Sequence, residues 1–214
     1  KDINDCLQVG GKEFVMNLIS EAKDVPVKSV VDYSEIEELD ISQMDGVKTG
    51  IKPLDDELLK IFYGTLTVLS GRPGSGKTSI IDQTIARTID DGSPVFLFSK
   101  EMPERMSANW FNTIIAGRRN MVERTSRDNR KYYIVPQAIQ KKIQAHYNMK
   151  LFIYRDDEPN DVDSVLKSAE ECVRKFGCKL IVLDNLMMID LNCSESDKNT
   201  AQTNLINALI KFAA

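Results

Sequence analysis

The octapeptide Gly71-Arg72-Pro73-Gly74-Ser75-Gly76-Lys77-Thr78 brings together the residue types that bind a polyphosphate, and Ser79 follows it. It fits the phosphate-loop pattern G-x-x-x-x-G-K-[ST] at every fixed position. Gly71, Gly74 and Gly76 allow backbone angles and close approaches that a Cβ would hinder, so several N–H groups can turn toward one point. A helix starting near Lys77 adds its unpaired N–H groups and the positive end of its dipole. Lys77 is then placed to set an ammonium on the β and γ phosphates, and the Thr78 hydroxyl to hold Mg²⁺. A chance glycine turn before a helix is the plain alternative, and the flanks argue against it. Leu66–Ser70 reads as a short β-branched, apolar strand before the loop, and Ser79–Ala86 has apolar residues at helical spacing after it. The loop is therefore expected to bind ATP or another nucleoside triphosphate.

Two carboxylates extend this chemistry. Asp184 ends the apolar run Leu180-Ile181-Val182-Leu183. A carboxylate at such a strand tip, downstream of a phosphate loop, can support Mg²⁺ beside Thr78 in the Walker B manner. The alternative is an Asp that only caps a loop. Glu101 follows the run Val95–Ser99 by two residues. From that tip it can orient and deprotonate an attacking water as general base. Equally, it can be an acidic residue at a helix start, favouring the dipole without catalytic duty.

The elements that must carry these residues alternate along the chain. Leu66–Ser70, Val95–Ser99, Leu151–Tyr154 and Lys179–Asp184 read as strands. Thr78–Asp90, a segment from Pro103 to about Ala116, Asp161–Phe176 and Ala201–Phe212 read as helices. In Asp161–Phe176 one apolar stripe runs through Val162, Val165, Leu166, Ala169, Cys172, Val173 and Phe176, with Gly177 as the stop. Residues 118–148 read as polar helix and loop, with a boundary at Pro136. Such alternation predicts an α/β fold, a parallel sheet flanked by helices on both faces. Ligands in such sheets bind at the carboxyl ends of strands, where the phosphate loop, Glu101 and Asp184 would all lie.

The first 64 residues differ in character. Residues 1–23 read as a small helical piece with Phe14, Val15, Leu18 and Ile19 on one face. Residues 24–48 read as an acidic linker, opening at Pro26 and holding a short helix over Tyr33–Leu39 with Ser34 as cap. A short helix over Leu54–Leu59 leads into the core. Residues 21–64 carry eleven acids against five lysines, whereas residues 118–150 carry nine basic groups against Glu123 and Asp128. A solvated surface and a polyanion contact both account for the basic block.

Composition excludes other classes. The 214 residues carry a net charge of −4, and no apolar run is long enough for a membrane span. No signal-peptide pattern or initiating Met opens the chain, which reads as a piece of something longer. Cys6, Cys172, Cys178 and Cys193 form no C-x-x-C pair and the single His146 is remote from them, so free thiols are expected rather than a zinc site. His146 reads as a surface residue, not a base.

Phe98-Ser99-Lys100-Glu101-Met102 resembles the Phe-Ser-x-Glu-Met signature of DnaB-type replicative helicases, in which the Glu is catalytic. Thr49-Gly50-Ile51-Lys52-Pro53-Leu54-Asp55 is similar to that family's lead-in to its RecA-like core. Leu183-Asp184-Asn185-Leu186 resembles the Walker B of Twinkle-like helicases. Lys1-Asp2-Ile3-Asn4-Asp5-Cys6-Leu7 resembles the tail of a toprim primase domain.

The resemblance implies a bifunctional primase–helicase. Residues 1–23 would close a primase domain, 24–48 would link, and 49–214 would form the N-terminal part of a RecA-like P-loop ATPase core, incomplete at its C-terminus. It implies a homo-hexameric ring that uses ATP and Mg²⁺ and moves 5′ to 3′ on single-stranded DNA, with other replisome proteins as further partners. The fifth core strand, the second DNA loop and the arginine finger would lie after Ala214, so little hydrolysis is expected from this stretch alone. The first DNA loop would be roughly Met188–Asn199, with Asn192 and Lys198 as phosphate contacts; an ordinary surface loop is the alternative. The linker helix would pack on a neighbouring subunit. The setting implied is the cytoplasm of a bacterial or phage-infected cell, with the mitochondrial matrix as the organellar alternative. The rival is a RecA- or KaiC-like ATPase stimulated by single-stranded DNA but unable to unwind.

Overall fold

The computed structural model describes residues 2–22 and 27–214 of the chain. They fall into two compact units, Lys1–Ile41 and Ser42–Ala214. The Pro26 boundary expected from the sequence lies outside the described residues.

In the first unit, helix α1 spans Ile3–Glu21. Asp2 and Asp5 form a reciprocal capping box: the Asp5 N–H donates to Asp2 Oδ1 at 2.8 Å, and the Asp2 N–H to Asp5 Oδ2 at 3.3 Å. Gly11, at φ +68°, interrupts the regular helix. Of the four residues expected on its apolar face only Val15 is buried; Phe14, Leu18 and Ile19 stay exposed. The helix expected over Tyr33–Leu39 is a single 3₁₀ turn, Tyr33–Glu35. Its cap is Asp32, not Ser34: the Ser34 N–H donates to Asp32 Oδ1 at 2.9 Å. Seven residues cannot repay helix nucleation unaided, and Glu37, Glu38 and Asp40 would crowd negative charge at the wrong end of the dipole.

The second unit opens with a short antiparallel pair, β1 (Gly46–Val47) with β2 (Ile61–Phe62), enclosing α2 (Lys52–Leu58). The Asp55 carboxylate gathers the turn before α2, accepting from the Thr49 N–H and hydroxyl at 2.7 Å each and from the Gly50 N–H at 3.1 Å. Gly50 sits at φ +75°, and a Cβ there would lie 3.0 Å from the Arg87 side chain, so a larger residue would strain this turn and crowd the next helix.

That helix is α3 (Lys77–Asp90), followed by β3 (Val95–Ser99) and α4 (Glu104–Ala116), with Pro103 as the cap rather than in the first turn. Next come β4 (Val122–Thr125), β5 (Lys131–Ile134), α5 (Gln137–Tyr147), β6 (Leu151–Ile153), α6 (Val162–Phe176), β7 (Leu180–Asp184) and α7 (Lys198–Ala213). Strands β6, β3 and β7 form a parallel sheet in that order, with Ser99 level with Asp184.

Strand alternation assigns the faces. Val95, Leu97, Leu151, Ile153, Leu180 and Val182 pack with Ile85 and Ile89 of α3, Phe111 of α4 and Ile143 of α5. Phe96, Phe98, Phe152, Ile181 and Leu183 pack with Val165 and Ala169 of α6 and Leu205 and Leu209 of α7. Every residue of the central strand β3 is buried, as an apolar run in a parallel sheet requires. Helix α6 matches its expected bounds: the Ser164 N–H donates to the Asp161 carboxylate at 3.0 Å, and Gly177 ends it in the left-handed region at φ +71°.

Three expectations are corrected. Leu66–Ser70 is not a strand: it pairs with no ladder among the described residues, and Val68 and Leu69 are exposed. Strand propensity needs a partner edge to become a strand; here only Leu66 packs against a core. Residues 118–148 are not helix and loop throughout. An antiparallel hairpin, β4 with β5, precedes α5, and its strands lack the apolar alternation that would have marked it in the sequence. Lys198 is the first residue of α7 rather than a loop residue.

Candidate nucleotide site

The phosphate loop closes on itself before α3. The Ser75 N–H donates to the Arg72 carbonyl at 3.1 Å, and a Cβ on Gly71 would fall 2.8 Å from the Ser75 hydroxyl. Gly76 caps α3 at φ +90°, with no side chain bonded to the helix's first N–H groups. Those donors and the dipole are thus directed at whatever anion the loop encloses. The Lys77 ammonium donates to the Gly71 and Arg72 carbonyls at 3.0 and 3.2 Å, which holds it over the loop. Pro73, Gly74 and Ser79 are exposed in the same segment.

The sheet brings the two expected carboxylates to this loop. The Thr78 hydroxyl donates to Asp184 Oδ2 at 3.2 Å across 106 residues of sequence. Burial pushes the Asp184 carboxyl up and the charge of Glu101 adds to this, while the Thr78 bond and Lys77 oppose it. Glu101 stands at the neighbouring tip, where it accepts a long bond, 3.4 Å, from Asn185 Nδ2. Asn185 also receives the Met187 N–H on Oδ1 at 3.0 Å, so it ties the turn after β7 to Glu101. Lys100 holds the other side of the Glu101 segment. Its ammonium donates to the carbonyls of Arg155, Asp156 and Glu158 at 2.8, 2.9 and 3.2 Å, beyond the tip of β6.

Two residues of this site do not stand out in the sequence. Asn185 enters there only as part of a motif. Asp82 lies one turn below Thr78 on the same face of α3, is 5% exposed, and has its Oδ2 buried without a hydrogen-bond partner among the described residues. Burial first, then the charge of Asp184, pushes its carboxyl up to about 7. An acidic residue breaking an apolar helical face was the available signal.

The donor set suits Mg²⁺. That ion takes one or two protein oxygens and completes its shell with phosphate and water, and a hydroxyl bonded to a carboxylate at the mouth of a phosphate loop offers such a pair. The other expected residues lie elsewhere. Asn192 sits at φ +47°, its N–H on Asp190 Oδ1 at 2.9 Å, in a segment whose Asp190 N–H is anchored to the Asn160 carbonyl. Lys198 opens α7 beyond it. His146 pairs with Asp90 at 2.9 Å on the exposed α5–α3 surface, away from the strand tips. The four cysteines are all free thiols; Cys178 is buried, which pushes its thiol up to about 11.

The family model for the DnaB-like helicase C terminal domain matches residues 46–214. The chain belongs to this family. A probable plasmid replicative DNA helicase of Chlamydia psittaci is 23% identical over 223 residues, covering 100% of this chain and 44% of that protein. A probable replicative DNA helicase of Guillardia theta is 25% identical over 209 residues, covering 94% of this chain and 34% of that protein. The chain thus spans less than half the length of these relatives. Among solved structures, one described as an ATPase domain superposes with a TM-score of 0.61 at 20% identity, over 81% of this chain and 61% of that one. A DnaB-like replicative helicase, described with its interactions with primase, superposes with a TM-score of 0.59 at 21% identity, over 99% and 51%. The α/β fold of this DnaB-like chain is therefore that of RecA-like DnaB ATPase domains. No helix among the described residues is long and apolar enough to cross a membrane.

Proposed function

We propose that this DnaB-like chain forms the nucleotide site of an ATP-dependent replicative DNA helicase, acting as a hexameric ring that moves 5′ to 3′ on single-stranded DNA. The observation that carries the reading is the Thr78–Asp184 bond at the mouth of the phosphate loop, with Glu101 tethered beside it through Asn185. In this reading the loop from Gly71 to Ser79 encloses the triphosphate with its N–H groups, and the Lys77 ammonium leaves the Gly71 and Arg72 carbonyls to pair with the β and γ phosphates. Thr78 and Asp184 would hold Mg²⁺, which when bound offsets charge building on the phosphates. Glu101 takes the proton of the water whose oxygen attacks the γ phosphorus, while the bond from that phosphorus to the β–γ bridging oxygen breaks and ADP leaves with that oxygen. Lys100 and Asn185 hold Glu101 at the right tip from either side. Residues 1–23 are assigned as the end of a primase domain and residues 24–48 as its linker, and the setting as the cytoplasm.

Nucleotide binding tests the site directly. A fluorescent ATP analogue with Mg²⁺ should bind this chain, and Lys77→Ala should weaken binding at least tenfold, roughly the loss of one charge-assisted contact to phosphate. Equal binding by the variant would remove the assignment. Strand displacement on a forked DNA separates a helicase from an ATPase that single-stranded DNA merely stimulates.

A further inference from the structure

The β4–β5 hairpin is built in a way the fold does not require. Between Val122 and Ile134 no residue is buried, while Met121 and Val135 at its base pack into the first core. Residues 118–134 concentrate Arg118, Arg119, Arg124, Arg127, Arg130 and Lys131 against only Glu123 and Asp128. The register divides these side chains between two faces. On one, Glu123 accepts from Lys131 at 2.8 Å and from the Tyr133 hydroxyl at 3.1 Å, and the Arg118 guanidinium lies 5.3 Å from the Tyr133 ring centre. On that face Glu123 offsets the Lys131 charge, and the Arg118 guanidinium is covered by a ring. On the other, Arg124 stands directly opposite Tyr132, whose residue surface is 47% exposed. The tip has a fixed shape: the Ser126 N–H donates to the Arg130 carbonyl at 2.9 Å and the Asn129 N–H to the Ser126 carbonyl at 3.0 Å. Arg124, Arg127 and Arg130 make no ion pair among the described residues.

We propose that this hairpin is a docking surface for single-stranded nucleic acid, with Arg124, Arg127 and Arg130 on backbone phosphates and Tyr132 stacked on a base. Unpaired guanidiniums beside an open aromatic ring are the two halves of single-strand recognition, electrostatic tracking and sequence-tolerant stacking. A duplex would satisfy the arginines and leave Tyr132 without an unstacked base. An acidic peptide would do the same without using the ring. The surface is separate from the Asn192–Lys198 segment and does not rest on the reading of the nucleotide site.

The test is anisotropy of labelled oligothymidine and oligouridine with this chain over a range of salt. The hairpin neutralised at Arg124→Gln, Arg127→Gln and Arg130→Gln should bind at least tenfold more weakly, with the slope of log affinity against log salt reduced by about 2, since each single-strand phosphate contact contributes about 0.7. Tyr132→Ala should weaken binding about 5- to 100-fold while changing the salt slope little. Loss on both oligonucleotides marks a surface for single strands in general; loss on one alone names DNA or RNA as the ligand. The hairpin variants should bind the fluorescent ATP analogue as the parent does, which separates failure here from failure of the nucleotide site. Circular dichroism checks folding, and the milder pair Arg127→Gln, Arg130→Gln serves if the triple variant unfolds. The proposal is overturned if the parent chain binds neither oligonucleotide at low salt, or if the hairpin variants bind as the parent does. It is also overturned if a control with the same charge change at Lys12, Lys52 and Lys167 loses as much, or if the variants lose affinity for polyglutamate alone.

Discussion

At the scale of single residues, the site sets one exposed carboxylate, Glu101, beside two buried ones, Asp184 and Asp82, whose carboxyls burial pushes up. Glu101 is exposed and tethered, so replacing it by Gln preserves shape while removing the base. Glu101→Gln should leave binding of the ATP analogue to this chain within about threefold and lower ATP turnover of the proposed hexameric ring by about 10²–10⁴-fold; parallel loss of binding would show a structural role instead. Asp82 makes a separate claim. Its carboxyl is raised from 3.8 to about 7 in the folded chain, so between those values the folded state holds a proton that the unfolded state has released. Its contribution to stability is therefore full at low pH and declines as pH rises toward 7. At roughly 1.4 kcal/mol per unit, the penalty at pH 8 is on the order of a few kcal/mol. In EDTA, Asp82→Asn should flatten this decline, seen as a urea midpoint that gains on the parent from pH 5 to pH 8. Identical pH slopes for variant and parent would sink the account.

At the scale of elements, β3 positions the site. It lies between β6 and β7, is buried along its whole length, and delivers Glu101 beside Asp184 because Ser99 and Asp184 share a register. Phe98, fully buried on the α6–α7 face, fixes that strand against its helices and lies 5.5 Å from the Tyr154 ring centre. Phe98→Ala should cost about 3–5 kcal/mol by loss of packing and cavity formation, read as a lowered urea midpoint at an unchanged slope. A smaller cost with a changed slope would mean that the strand is not a fixed platform. The hairpin is the opposite kind of element. Only its base joins the core, so substitutions along its strands should report on ligands rather than on folding.

At the scale of the whole molecule, the two units make different demands. The unit from Ser42 onward contains both cores and every residue of the nucleotide site, while the first has one buried apolar side chain, Val15, among its described residues. A chain beginning at Ser42 should therefore keep the main cooperative thermal transition and the affinity for the ATP analogue. Loss of either on removing residues 1–41 would show that the first unit supports the fold of the second.

The sequence alone determined what short-range chemistry can determine. The glycine spacing and Lys77-Thr78 define the loop, the apolar runs ending near Glu101 and Asp184 define strand tips, and the stripe from Val162 to Phe176 with Gly177 defines α6. Each of those patterns is complete within about twenty residues, so no distant partner is needed to read it. What required the tertiary structure depends on distant partners. Thr78 meets Asp184 only because β7 lies next to β3, and Asp82 is buried only because the sheet covers that face of α3. Leu66–Ser70 has the composition of a strand without a ladder to join. The basic segment after α4 becomes a hairpin because Met121 and Val135 pin its two ends into one core. Propensity and charge were legible in all of these; which groups would stand side by side was settled by packing.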